Sequence, residues 1–277
     1  MNSLQVNGTE LARVERGEGQ TVILVHGAIG DLRSWESVAT KLATRYRVVT
    51  YSRRWHYPHQ GAATGAGYTA AIHTADLLGV MRHYGAAHLV GHSYGAALCA
   101  LAALHQPGLV QSLVLAEPSL FSLLQLSDHG KRAEAEAAAA SGRIPALLSQ
   151  GQPERALREF LDIILGPDGA KRISELGRGV MLDNLSTLMP MLAGMVSESP
   201  FTPQHAAEIK PPTLLLGGEQ TPAIFRITIE ELQKSLPDCR RATLPGLSHG
   251  LHLENPEPLA EAVSEFLAWQ GKDLVHA

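Results

Sequence analysis

Residues 91–95 read Gly-His-Ser-Tyr-Gly; they follow a short apolar run at 88–90 and open a stretch with helical spacing. In that setting the G-x-S-x-G pattern is typical of a sharp strand-to-helix turn that presents its serine as a nucleophile. Glycines are needed on both sides because a Cβ atom would clash with the backbone packed around the turn. The following helix directs its free N–H groups and its positive dipole end toward the serine. Ser93 is therefore the leading candidate for a catalytic nucleophile.

Strands and helices alternate on both sides of this turn. Continuous apolar, β-branched runs at 21–26 and 47–52 are typical of strands buried on both faces. This alternation predicts an α/β fold, with a mostly parallel central sheet and helices on both faces. Further strands are predicted at 88–90, 113–116, 213–216 and 241–244, and helices at 34–44 (with Ser34 as its cap), 69–84, 94–105, 223–235 and 256–269.

Residues 118–209 break this rhythm. They contain no convincing strand, and the part from Met181 to Met195 is rich in methionine and leucine. We therefore expect an all-helical insertion, a lid or cap, at 118–209, with the α/β core formed by 1–117 and 210–277.

A second candidate for chemistry lies near the end of the chain. Residues 245–250, Pro-Gly-Leu-Ser-His-Gly, follow the last predicted strand and precede the last helix. A histidine on such a loop can reach across the sheet edge to Ser93 and act as its general base. We assign that role to His249. His252 is the alternative, although a packing or capping role suits it better.

The stretch Val25-His26-Gly27-Ala28 closes the first long strand. An oxyanion needs two converging backbone donors. The N–H of Tyr94, directly after the nucleophile, and the N–H of Ala28 are the natural pair. His26 itself is expected to be structural, hydrogen-bonded beneath the loop.

The His-Gly turn, the Gly-His-Ser-Tyr-Gly turn, the helical insertion and the stretch SHGLHLENPE at 248–257 together resemble the α/β-hydrolase superfamily over nearly the whole chain. The resemblance implies a lid-bearing serine hydrolase of the esterase type. Ser93 would be the nucleophile, His249 the base, and Ala28 and Tyr94 the oxyanion donors. Carboxylic esters would be cleaved through an acyl-enzyme. Hydrolysis of a C–C bond, lactone or thioester by the same residues is an alternative, as is an inactive ligand-binding protein.

The triad acid is the open question. In most relatives of this kind an aspartate follows the strand that is written here Thr-Leu-Leu-Leu-Gly-Gly, but the equivalent position is Thr221. Glu219 lies two residues before that place. Glu117 follows the strand next to the one that leads to Ser93, so its side chain should open on the same edge of the sheet. We favour Glu117 as the acid, displaced to the strand after the nucleophile helix. The alternatives are Glu219, an acid supplied by the lid, or no functional acid. An ion pair of Glu117 with Arg53 or Arg54 would argue against the assignment.

Substrate-binding residues are harder to predict. Trp35, Arg54 and His56 lie on loops that should border the cleft, and Met181, Leu185 and Met189 belong to the methionine-rich part of the insertion. Methionine side chains adapt to irregular ligand shapes, so a small ester with an apolar moiety is the expected substrate.

Composition excludes several other classes of protein. An apolar fraction of 45% and a net charge of −4 suit a folded protein without the basic surface that nucleic acid binding needs. No run reaches the roughly 18 apolar residues of a membrane span, and no signal-peptide core opens the chain, so a cytoplasmic location is expected. The two cysteines, Cys99 and Cys239, form no metal-binding pattern, and neither a metal nor a cofactor is expected.

Overall fold

The computed structural model describes residues 1–60, 67–197 and 200–273. Within these residues an eight-stranded sheet has the order β1-β2-β4-β3-β5-β6-β7-β8. Strands β3 to β8 run parallel, whereas β1 and β2 join the edge of the sheet antiparallel. The strands are β1 (Asn2–Val6), β2 (Thr9–Arg16), β3 (Thr21–Val25), β4 (Arg47–Tyr51), β5 (Ala87–His92), β6 (Val110–Ala116), β7 (Thr213–Gly218) and β8 (Cys239–Leu244).

Helices cover both faces of the sheet. The helices are α1 (Glu36–Leu42), α2 (Ala70–Tyr84), α3 (Tyr94–His105), α4 (Asp128–Ser141), α5 (Ile144–Ser149), α6 (Pro153–Leu165), α7 (Glu175–Asp183), α8 (Leu188–Ser197), α9 (Pro203–Glu208), α10 (Ala223–Ser235), α11 (Leu251–Glu254) and α12 (Pro256–Asp273). The predicted α/β fold is confirmed.

The two cores follow from the alternation of side chains along the strands. In β3, Ile23 and Val25 face one core, which contains side chains of α2 and α3, while Val22 and Leu24 face the other, which contains side chains of α1 and α12. All four are fully buried. Full burial of such a side chain stabilises the fold by about 1.5–3 kcal/mol, which is why the central strands consist almost entirely of apolar residues.

The first predicted helix differs from expectation at its start. A short 3-10 helix, Leu32–Trp35, precedes α1, and its cap is Asp31 rather than Ser34. Asp31 Oδ1 accepts the N–H of Arg33 at 2.8 Å, and the Ser34 hydroxyl accepts the N–H of Asp31 at 3.3 Å. Both partners of a capping box are present in the sequence, but the helical spacing alone favoured the later start.

Between β6 and β7 the chain is helical. Helices α4 to α9 and short 3-10 turns occupy this region, and no strand occurs in its described part, 117–197 and 200–212. Residues of α6 and α7 reach over the edge of the sheet where the parallel strands end. Within the described residues, no helix combines the length and the apolar character that a membrane span requires.

Candidate active site

Ser93 occupies a strained turn between β5 and α3. Its backbone has φ 53° and ψ −119°, on the side of the Ramachandran map that residues with a side chain rarely adopt. A Cβ on Gly91 would lie 2.6 Å from Ala96 Cα, and a Cβ on Gly95 would lie 2.6 Å from the His26 carbonyl oxygen. Side chains cannot be accommodated at those distances, so the two glycines are what allow the turn to form. Strain of this kind persists where the surroundings enforce it, commonly at reactive sites.

His249 lies beyond the end of β8 and its ring is buried. Its Nδ1 is 3.2 Å from Glu117 Oε2, and the ring of Phe225 stacks on its face at a centroid distance of 3.7 Å. Burial lowers the pKa of His249, because the charged imidazolium is poorly solvated here. With Nδ1–H directed at a carboxylate, the second ring nitrogen is left to accept a proton.

Glu117 directly follows β6 and is fully buried. It too has a positive φ, 53°. Its Oε1 accepts the N–H of Gly218 at 2.6 Å, and its Oε2 accepts the Thr221 hydroxyl at 2.5 Å as well as His249 Nδ1. Burial raises the pKa of Glu117, while the hydrogen bonds from Thr221 and Gly218 act in the opposite direction. Three donors therefore converge on the carboxyl group of Glu117.

Thr221 stands where the resemblance to α/β-hydrolases would place the acid in most members, and its hydroxyl donates to Glu117. Glu219 is exposed, and its Oε2 accepts the N–H of Gly246 at 2.9 Å. It contributes to the turn after β8, and among the described residues it forms no hydrogen bond or ion pair with His249. Glu117 is thus the carboxylate that the structure brings to His249, and Glu219 is not.

A third carboxylate, Glu254 of α11, holds the backbone on both sides of His249. It accepts the N–H groups of Ser248 and Gly250, each at 3.2 Å, and also the Ser248 hydroxyl. Arg172 lies 3.6 Å away on its outer side. Because these bonds flank His249, they limit the directions in which its ring can point.

Ser93, His249 and Ala28 line one pocket at the carboxyl ends of the parallel strands. Within the described chain, the Ser93 hydroxyl makes no hydrogen bond to His249, a contact that often tightens only when substrate binds. No Asp, Glu, Lys or Arg of the described residues lines this pocket. Its apolar walls are formed by Ile29, Phe160, Ile164, Leu165, Met181 and Leu253.

A model of the alpha/beta hydrolase family matches residues 22–262. The chain belongs to this family. Among curated proteins, it is 27% identical to the sn-1-specific diacylglycerol lipase ABHD11 of Danio rerio, over 91% of this chain and 80% of that protein. It is 24% identical to the 2-(acetamidomethylene)succinate hydrolase of Mesorhizobium japonicum, over 91% of this chain and 90% of that one.

Solved structures agree with this hydrolase fold. An esterase from Thermogutta terrifontis superposes with a TM-score of 0.79 at 21% identity, covering 97% of this chain and 98% of the esterase. At that identity the likeness concerns the fold alone. The relatives named as lipases and hydrolases support hydrolase chemistry as the shared activity.

The structure of this hydrolase separates the predicted substrate-binding residues. Met181 lines the pocket. Leu185 is buried in the core and Met189 packs against the same core outside the pocket lining. Trp35 is fully buried and stacks on His252, at a centroid distance of 4.7 Å.

The two loop residues of the same prediction also lie away from the pocket lining. Arg54 pairs with Asp76 at 2.5 Å. His56 is buried between the Gly30 carbonyl, at 2.6 Å, and the Tyr68 hydroxyl, at 3.0 Å. Their loop turns inward and satisfies their polar groups within the protein, which a sequence pattern cannot reveal.

Several residues of the site escaped the sequence analysis. Phe160, Ile164 and Leu165 of α6 come to the pocket only through the packing of the helical region, and Phe225 reaches His249 from α10. Their apolar character carried no signal of function. In the described residues, no group of three or more His, Cys, Asp or Glu side chains is arranged to hold a metal ion.

Proposed function

We propose that this hydrolase cleaves carboxylic esters through an acyl-enzyme formed on Ser93. The observation that carries the proposal is the contact of Glu117 Oε2 with His249 Nδ1, 3.2 Å, at a pocket that Ser93 also lines. A carboxylate on one imidazole nitrogen directs the other nitrogen toward a nucleophile, which is the arrangement that serine hydrolases need.

In the proposed reaction, His249 Nε2 takes the proton of the Ser93 hydroxyl as its oxygen attacks the ester carbonyl. The N–H groups of Ala28 and Tyr94 stabilise the negative charge on the carbonyl oxygen. The imidazolium, which Glu117 stabilises, then protonates the departing alcohol. Water attacks the acyl-enzyme with His249 again as base, which releases the acid and restores Ser93.

The pocket walls support an apolar, uncharged substrate. Ile29, Phe160 and Met181 offer dispersion contacts, while a charged group would be desolvated among them with no oppositely charged Asp, Glu, Lys or Arg in the described lining. We propose that the helical region 118–209 acts as a lid over a core formed by 1–117 and 210–277, since α6 and α7 supply part of these walls. The lipase relative is consistent with such a substrate.

Two measurements test the proposal. A fluorophosphonate should label the folded protein at Ser93, as located by peptide mass, and p-nitrophenyl butyrate or hexanoate should be hydrolysed. Ser93→Ala should abolish both signals, and heat-denatured protein serves as the labelling control. A p-nitrophenyl ester with a free carboxylate on its acyl chain should be a much poorer substrate than an uncharged one of equal length.

The opposite results are equally specific. Intact protein that shows neither labelling nor ester turnover, but whose melting temperature rises with a small apolar ligand, would be a binding protein. Labelling at Ser93 with turnover confined to thioesters, lactones or C–C substrates would keep the triad and overturn the ester assignment.

A further inference from the structure

Arg53 is a buried cation without an acidic partner. Arg53 is 1% exposed, and within the described residues no carboxylate forms an ion pair with it. Burying an unpaired charge is costly, so such a residue needs compensating hydrogen bonds. Its guanidinium donates to the Gly27 carbonyl oxygen and to the Tyr68 hydroxyl, each at 2.8 Å.

The Gly27 carbonyl belongs to the same peptide unit as the N–H of Ala28. A trans peptide is planar, with its C=O and N–H pointing in opposite directions. Two donors act on the Gly27 oxygen, Arg53 Nη2 at 2.8 Å and His26 Nδ1 at 2.9 Å. They therefore set the direction of the Ala28 N–H, and by polarising the peptide they strengthen it as a donor.

The loop that follows Gly27 cannot hold its shape unaided. Ile29 has φ 43°, a conformation that is strained for a β-branched residue. The next carbonyl along, that of Gly30, accepts His56 Nδ1 at 2.6 Å. His56 Nε2 in turn accepts the Tyr68 hydroxyl, the same hydroxyl that accepts Arg53. One buried network thus holds both ends of the loop.

The proton positions in this network are consistent. The carbonyl oxygen of Gly30 can only accept a hydrogen bond, so His56 carries its proton on Nδ1. Its Nε2 then accepts the Tyr68 hydroxyl. His26 likewise carries its proton on Nδ1, and its Nε2 accepts the backbone N–H of Arg53 at 3.0 Å. Each of these imidazole nitrogens thus has a single role, as donor or as acceptor, which is what a rigid support requires.

Arg53 also lies behind the other proposed oxyanion donor. Its guanidinium carbon is 5.0 Å from the centre of the Tyr94 ring. Its positive charge is thus buried next to both residues whose N–H groups form the proposed oxyanion hole, in surroundings that screen it poorly.

We propose that Arg53 is a positioning residue for the oxyanion hole: through the Gly27 carbonyl it aims the Ala28 N–H at the oxygen that becomes negative in the transition state. This inference rests on the proposed function, because only a reaction that passes through an oxyanion uses that N–H.

The test compares an oxygen ester with its thionoester, in which sulfur replaces the carbonyl oxygen. Sulfur is a larger and weaker acceptor, so the ratio of kcat values for the two substrates reports on the oxyanion donors. Arg53→Met should lower kcat for the oxygen ester by about tenfold to a hundredfold, less than outright loss of a donor, with KM changed by less than about threefold. The kcat for the thionoester should fall much less, so the ratio of kcat for the oxygen ester to kcat for the thionoester should decrease.

The matched control is Arg54→Met, one residue along the same loop. It removes a buried ion pair with Asp76 but no contact to Gly27. It should lower the melting temperature without changing the oxygen-to-sulfur ratio. Arg53→Lys, which keeps the charge and one possible donor to Gly27, should give a ratio between those of Arg53→Met and the wild type.

If Arg53→Met does not fold, Tyr68→Phe replaces it in the test, because this change removes the hydroxyl that anchors Arg53. It should lower the oxygen-to-sulfur ratio of kcat by about threefold or more. A wild-type ratio in whichever folded variant is measured would overturn the inference while leaving the proposed function intact. A wild-type protein without labelling or turnover would overturn the proposed function, and the inference with it.

Discussion

The ends of β6 and β7 each carry a glutamate as the first residue after the strand, in opposite surroundings. Glu117 is fully buried and contacts His249, whereas Glu219 is exposed and accepts the N–H of Gly246. The two strands are parallel neighbours, and Ala116 at the end of β6 pairs with Leu216.

The difference arises from where the two strands end relative to each other. Glu117 follows the residue that pairs with Leu216, whereas β7 continues for two residues past Leu216. Glu219 therefore lies farther out, at the rim of the sheet. Gly218 and Thr221, on either side of Glu219 in the chain, both donate to Glu117. The same residue type at the same place relative to its strand can thus serve the site or merely close a turn.

The largest expected effect comes from Glu117→Gln. The amide cannot stabilise the imidazolium of His249, so kcat for an ester should fall by about 10³-fold to 10⁴-fold. The measurement is kcat on p-nitrophenyl butyrate, with circular dichroism to confirm folding. Full activity in a folded variant would refute the assignment of Glu117.

The pH profile sharpens the comparison further. Only neutral His249 can act as base, so activity is lost as the pH falls through its pKa. Burial lowers that pKa from 6.5, so the acid limb of kcat/KM should lie below pH 6.5 in the wild type. Glu117→Gln removes a negative charge that favours the imidazolium, so the pKa should fall again and the limb should move down by about one unit.

That prediction is checked by pH–rate profiles of the wild type, Glu117→Gln and Glu219→Gln. The last of these should match the wild type. If the acid limb moved upward in Glu117→Gln, or moved only in Glu219→Gln, the assignment of the negative charge beside His249 to Glu117 would be wrong.

Thr221→Val should have an intermediate effect. It removes a donor to the Glu117 carboxylate, so the pKa of Glu117 should rise further and kcat should fall by about tenfold. Thr228→Val in α10 is the control, because it also loses a buried hydroxyl, one that bonds the Ile224 carbonyl at 2.7 Å. Equal losses of kcat in the two variants would reduce Thr221 to a structural role.

Glu219→Gln should have the smallest effect. A glutamine oxygen can still accept the Gly246 N–H, and the side chain is exposed, so kcat/KM should stay within about twofold of the wild type. The melting temperature, followed by differential scanning fluorimetry, should be nearly unchanged. A loss comparable with that of Glu117→Gln would reverse the comparison.

Much of the framework was open to prediction because it depends on local sequence. The glycines around Ser93 permit a turn that other residues exclude, and the continuous apolar strands can only be buried on both faces. The order of elements then brings the loops of Ser93, Glu117 and His249 to one edge. The 3-10 start before α1 was missed because two capping residues lay close together and spacing did not decide between them.

By itself, the sequence determined the α/β framework, the turn that presents Ser93 and the set of polar residues at the ends of the parallel strands, since these follow from backbone sterics and strand order. Only the tertiary structure decided which glutamate meets His249, because the register of β6 against β7 is set by pairing between distant segments. It also decided that Trp35 and His56 are buried, that α6 walls the pocket, and that Arg53 binds the Gly27 carbonyl. Those contacts join residues far apart in the chain, and their geometry exists only once the helices have packed on the sheet.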